Sequence, residues 1–216
     1  DTMWTKQGAP LGGRMALPED ARRMGVPPNW TAYVTTPDVD AAARQAAALG
    51  GKVLKAPTDL PGTGRFAIVR DPQGAVIAVY KSTQASPAPT GHPKNGEFSW
   101  HELATTDHGA ALRFYSALLG WVKTDAMDMG PGGLYQMFGT EKKRSLGGIY
   151  NKKPDMPGPP FWLYYIKVDS ADRAAERVKA AGGKVLNGPM DIPGGGRIAQ
   201  CLDPQGAAFA VHSVKA

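Results

Sequence analysis

Gly182-Gly183-Lys184-Val185-Leu186 and Asp203-Pro204-Gln205-Gly206-Ala207 repeat Gly50-Gly51-Lys52-Val53-Leu54 and Asp71-Pro72-Gln73-Gly74-Ala75. Both pairs stand 132 residues apart (Gly51 to Gly183, Asp71 to Asp203), and residues 30–79 read onto 162–211 without a gap. A period this long marks a duplicated domain, because solenoid units run to about 20–50 residues. Within the later copy, residues 161–168 are aromatic and β-branched, as in a strand. Asp169-Ser170 then opens a helix carrying Ala174, Ala175, Val178 and Ala181, which Gly182-Gly183 stops. Strands at 184–186, 197–202 and 207–214 follow. The Asp-Pro-Gln-Gly between the last two has type I turn chemistry.

The same order stands upstream. Residues 98–104 read as a strand, and Thr106-Asp107 offers an N-cap to a helix with Ala111, Leu112, Phe114, Tyr115, Leu118 and Leu119 on one side. Gly120 closes that helix, and short strands follow at 121–124, 134–139 and 145–150. Two β-α-β-β-β modules therefore build a complete domain over 96–216. The first domain, 1–82, holds less. Residues 2–6 and 11–16 look like the third and fourth strands of a module, with Leu11-Gly12-Gly13 matching Leu146-Gly147-Gly148. Residues 29–81 supply a full second module, and 83–95, rich in Ser, Pro, Ala and Gly, read as a linker. The fold class expected is α+β, as tandem βαβββ modules. By the repeat offset, about 35 residues carrying strand, helix and strand are expected before Asp1, since a sheet without them leaves an unpaired edge. Failing those residues, a second copy of the chain in a homodimer would fill the gap.

Composition narrows the function. The chain of 216 residues is 42% hydrophobic and 20% charged, which suits a soluble globular protein. No apolar run is long enough to span a bilayer, so no membrane partner is expected. The net charge of +6 comes from scattered basic residues with no continuous basic stripe, which argues against nucleic acid. The single cysteine, Cys201, and the lack of a visible signal peptide fit a reducing, cytoplasmic compartment.

Trp100-His101-Glu102-Leu103-Ala104-Thr105-Thr106-Asp107, with Phe114-Tyr115 and Leu119-Gly120-Trp121, resembles the vicinal oxygen chelate superfamily. That group includes the glyoxalase I, bleomycin-resistance and extradiol-dioxygenase proteins. Gly182-Gly183, Pro193-Gly194-Gly195-Gly196-Arg197 and Asp203 to Ala207 look like the second half of the same domain. The resemblance implies a divalent metal held by His, Glu or Gln from four central strands. It places the ligand positions at Trp100, near Ile149, at Leu163 and at Ala210, with Thr31 and Ala78 matching the last two in the first copy. Indole, isobutyl and methyl groups offer no lone pair to a cation. No metal and no other cofactor is therefore expected.

Two residues could carry acid-base chemistry. Glu102 shares the strand face of Trp100 and reads either as a ligand's acceptor or as a structural carboxylate. His212 shares the face of Ala210, where the first copy has Tyr80, and reads as Glu102's acid-base partner or as an end-of-strand histidine. Trp100, Glu102, Tyr135, Leu163, Ala210, His212 and Tyr80 are the expected ligand-lining residues. Three functions stay open: a metal-free protein binding a small aromatic or amphiphilic molecule, a glyoxalase-, dioxygenase- or hydroxylase-like enzyme, or a module that only assembles.

Overall fold

The computed structural model describes residues 2–6, 8–84 and 91–214. Residues 85–90 of the expected linker lie outside the described residues. The chain begins with β1 (Thr2–Lys6), β2 (Ala9–Arg14) and a one-turn helix α1 (Glu19–Arg23). A first module follows as β3 (Tyr33–Thr35), α2 (Val39–Ala48), β4 (Lys52–Leu60), β5 (Gly64–Arg70) and β6 (Val76–Ser82). The next runs β7 (Phe98–Thr105), α3 (His108–Leu119), β8 (Val122–Asp128), β9 (Leu134–Gly139) and β10 (Gly147–Asn151). The last is β11 (Phe161–Lys167), α4 (Ala171–Ala180), β12 (Lys184–Ile192), β13 (Gly196–Leu202) and β14 (Ala208–Val214). Among the described residues no helix is long and apolar enough to cross a membrane.

Each module has one wiring. Its first strand pairs in parallel with its fourth, as β3 with β6, β7 with β10 and β11 with β14. The fourth then pairs antiparallel with the third, and the third with the second. The parallel pairing requires a crossover, and the helix supplies it. Asp38, Asp107 and Ser170 start the three helices, each side chain accepting from the amide three residues on. Gly120 ends α3 at φ 73°, where a side chain would strain the backbone.

The chain forms two compact units. One comprises Thr31–Thr90 and Trp100–Leu163. In it Leu103, Ile149 and Phe138 are buried on the same side of their strands, and α3 buries Ala111, Leu112, Tyr115 and Leu118. Trp121 stacks on Phe138 at 4.6 Å, and Trp162 meets Tyr115 edge-on at 5.3 Å. Each such large apolar side chain contributes about 1.5–3 kcal/mol on burial. The Asp71 carboxylate, 3% exposed, closes its turn by accepting from the amides of Gln73, Gly74 and Ala75. Its other oxygen accepts from the Tyr115 hydroxyl at 2.9 Å, and Tyr115 accepts from the Trp162 indole at 3.1 Å. Burial pushes the Asp71 carboxyl up from its usual range against the pull of these bonds.

The other unit comprises Asp1–Trp30, Gly91–Ser99 and Tyr164–Ala216. Here α4 sets Ala171 and Ala175 against Ala199, Cys201 and Val211. Strands β1 and β2 make a hairpin in which Met3 pairs with Gly13 and Trp4 with Gly12. The pairings of Met137 with Gly148 and of Phe138 with Gly147 have the same form, as expected for third and fourth strands.

One reading of the sequence shifts, and two features stand outside it. The strand expected at 121–124 runs to Asp128, while Trp121 itself sits in the aromatic core. Helix α1 has no buried residue and so no apolar periodicity to announce it; Glu19 and Arg23 pair along it at 3.2 Å. Trp30 and Trp162, equivalent in the repeat, have separate roles. Trp162 lies on β11 in the core of its unit, whereas Trp30 precedes β3 and packs on Trp4 at 5.2 Å. Before Trp30, Asn29 turns its side-chain amide onto the Pro27 carbonyl, a local bond that competes with strand pairing.

Candidate functional site

Strand alternation builds the site. On β7, Leu103 and Thr105 are wholly buried, so Trp100 and Glu102 face the other way, half-buried. Pairing extends that face: Gly148 sits beside Glu102, Met137 beside Gly148, Tyr135 beside Tyr150, and Met127 beside Tyr135. One face thus carries Trp100, Glu102, Tyr135, Tyr150, Met127 and Met137.

Its polar atoms form a directed chain. The Trp100 indole N–H donates to the Tyr135 hydroxyl oxygen at 2.7 Å, and that hydroxyl donates to Glu102 Oε2 at 2.9 Å. The Tyr135 and Tyr150 rings stack at 6.0 Å, 18° from parallel. Gly148 makes this arrangement possible, since a Cβ there would fall 2.0 Å from the Tyr135 ring. Burial, and secondarily the Glu102 charge, push the Tyr150 phenol well above its usual ionisation range.

The structure therefore brings Trp100, Glu102 and Tyr135 together. Tyr80 belongs to the β3-β6-β5-β4 sheet of the same unit, where its hydroxyl donates to the Thr63 carbonyl. Leu163, also in this unit, is buried. The position near Ile149 needs correction. Ile149 pairs with Leu103 and is buried with it, so the positions of β10 on the Trp100 face are Gly148 and Tyr150. Tyr150 was missed in the sequence, because its spacing of two from Gly148 assigns it a face only once Gly148 is known to pair with Glu102.

Ala210 and His212 lie in the other unit, on β14. Ala210 pairs with Tyr165 on one side and with Gln200 on the other. The Gln200 amide donates to the Tyr165 hydroxyl at 2.9 Å and accepts from Asn187 at 3.3 Å, a polar row that composition does not announce. His212 Nδ1 lies 3.2 Å from Ser99 Oγ, whose own hydrogen goes to the Tyr165 carbonyl. A serine spent in this way is not primed as a nucleophile. Burial, then the Lys167 charge, hold the His212 imidazole below its usual range. Glu102 and His212 thus belong to separate units, and the chain of bonds ending on Glu102 is made by Trp100 and Tyr135.

The residues at the metal positions do not fit a divalent cation. Trp100, Leu163 and Ala210 supply no lone pair, Gly148 has no side chain, and Tyr150 offers only a phenol that burial and the Glu102 charge keep protonated. Among the described residues no three His, Cys, Asp or Glu side chains come together. His101 is half-buried against the Leu146 carbonyl, its Nδ1 2.9 Å from that oxygen, and desolvation lowers its pKa.

The family model of the Glyoxalase/Bleomycin resistance protein/Dioxygenase superfamily matches residues 12–79 and 97–211. CFP32 of Mycobacterium bovis, whose name assigns it provisionally to the glyoxylases, is 35% identical over 211 residues, 97% of this chain and 78% of that protein. The anthracycline biosynthesis protein DnrV of Streptomyces peucetius is 36% identical over 198 residues, 88% of this chain and 68% of that one. The fold matches a Mn(II)-bound glyoxalase from Novosphingobium aromaticivorans with a TM-score of 0.56 at 20% identity, over 81% of this chain and 58% of that one.

Proposed function

Because this chain belongs to the Glyoxalase/Bleomycin resistance protein/Dioxygenase superfamily, we propose that it binds a small aromatic or amphiphilic molecule, without a metal, on the face of Trp100, Glu102, Tyr135 and Tyr150. The observation that carries this reading is the Trp100–Tyr135–Glu102 bond chain, which ties two aromatic rings to one carboxylate, with Tyr150 stacked on Tyr135 as a third. Apolar and aromatic surface with a few placed polar groups is the usual make-up of a small-molecule site. The names of CFP32 and DnrV support a small-molecule role in general terms.

Equilibrium dialysis with 2-naphthol tests the reading. Stoichiometric binding is expected, unchanged by EDTA and weakened about ten-fold or more by Trp100→Leu. No binding, or tight stoichiometric uptake of manganese, zinc, nickel or iron, would overturn it. A carboxylate on a ligand face also suits an enzyme of this superfamily, with Glu102 as acid or base. Turnover lost in Glu102→Ala with the fold intact would establish that second reading.

A further inference from the structure

Resting on that reading, we propose that the molecule bound at the Trp100–Glu102 face carries a cationic nitrogen, as in a protonated aromatic amine. The direction of the hydrogen bonds is the first argument. Both hydrogens of the chain point towards Glu102, from Trp100 to Tyr135 and from Tyr135 to the carboxylate. Glu102 is the acceptor on which the chain of two bonds ends and the acidic side chain of the face.

The rings are the second argument. Trp100, Tyr135 and Tyr150 lie on the same face of adjacent strands as Glu102, and the π faces of such rings attract cations. The thioethers of Met127 and Met137 extend the face with polarizable, uncharged surface. Rings, thioethers and one carboxylate together attract an organic cation, accept a neutral aromatic less well, and repel an anion. The chain's net charge of +6 opposes this only from a distance, and salt screens exposed charges beyond about 8 Å.

Three probes with one ring system test the inference at pH 7: 1-naphthylmethylamine, 1-naphthalenemethanol and 1-naphthoate. The amine is expected to bind wild-type protein about ten-fold tighter than the alcohol, with the naphthoate weakest. In Glu102→Gln, which keeps an acceptor for Tyr135, the preference should shrink to about two-fold or less. Equal binding of amine and alcohol to the wild type, which needs no variant, overturns this inference and leaves aromatic binding standing. A preference that survives in Glu102→Gln overturns it too. If none of the three binds, the aromatic reading and this inference fail together.

Discussion

The modules β3 to β6 and β11 to β14 share their strand pairing and differ most in chemistry on one face. Their registers coincide: Tyr33 pairs with Ala78 as Tyr165 does with Ala210, and Phe66 with Tyr80 as Ile198 does with His212. Their frames also coincide. Arg65 joins Asp40 and Asp59 as Arg197 joins Asp172 and Asp191. The carboxylates hold both guanidinium pKa values above the usual arginine range. Both faces carry substitutions, such as Val69 to Cys201 and Ile77 to Phe209 on the helix side, but the chemistry changes most on the face around Ala78 and Ala210. The earlier module sets Tyr33, Phe66, Ile68 and Tyr80 there, and the later one Tyr165, Ile198, Gln200 and His212. Tyr33 meets Phe66 at 5.8 Å and Tyr80 at 6.0 Å, whereas Tyr165 is bonded through Gln200 to Asn187. The two faces differ in chemistry on a backbone that has kept its wiring.

The sharpest way to break the apparent equivalence is at the repeated aspartate. Asp71 is buried and bonded to Tyr115, while Asp203 accepts from the amides of Gln205 and Ala207. Asp71→Ala should cost about 3 kcal/mol in urea unfolding and Asp203→Ala about 1 kcal/mol. Equal losses would show that Tyr115 adds nothing. A second contrast concerns glycines on equivalent strands. Gly148→Ala should cost about 2 kcal/mol and weaken 2-naphthol binding, because its methyl group meets the Tyr135 ring. Gly13→Ala should cost little, since its closest neighbour is the flexible end of Met3 at 3.0 Å.

A third experiment uses pH. The fold lowers the His212 pKa from 6.5, so the unfolded chain gains more protons on acidification and this residue's share of stability falls below about pH 6.5. His212→Tyr installs the earlier module's residue. It should reduce the loss of thermal midpoint between pH 7.5 and 5.5, leaving the part due to His101, whose pKa is also lowered. An unchanged pH slope would remove His212 from the account. The smallest effect is expected from Gln200→Ile, which copies Ile68 and removes the bonds to Tyr165 and Asn187, at about 1 kcal/mol or less.

How legible each feature was follows from how local its cause is. The caps at Asp107 and Ser170, the Gly120 stop and the Asp71 and Asp203 turns depend on residues within one turn of chain, and all stand as read. That Trp100 and Glu102 share a face needed only strand alternation. Tyr150 and Gln200 could not be placed in this way, because the face they join is set by pairing with strands far away in sequence. Ile149 was misplaced for the same reason: a register error of one residue moves a side chain through the sheet. The dependence of Tyr135 on Gly148 is less visible still, since it lies in a close approach and not in any motif.

Cys201 gives the protein a built-in reporter. Its sulfur, 1% exposed on the α4 side of β13 and with a thiol pKa pushed up by burial, is the only one of its kind in the chain. An alkylating reagent can reach it only when that packing opens, so the rate of single-site labelling clocks the breathing of this unit. Ligand added at the Trp100 face can then be asked, with no mutation at all, whether it slows a clock housed in the other unit.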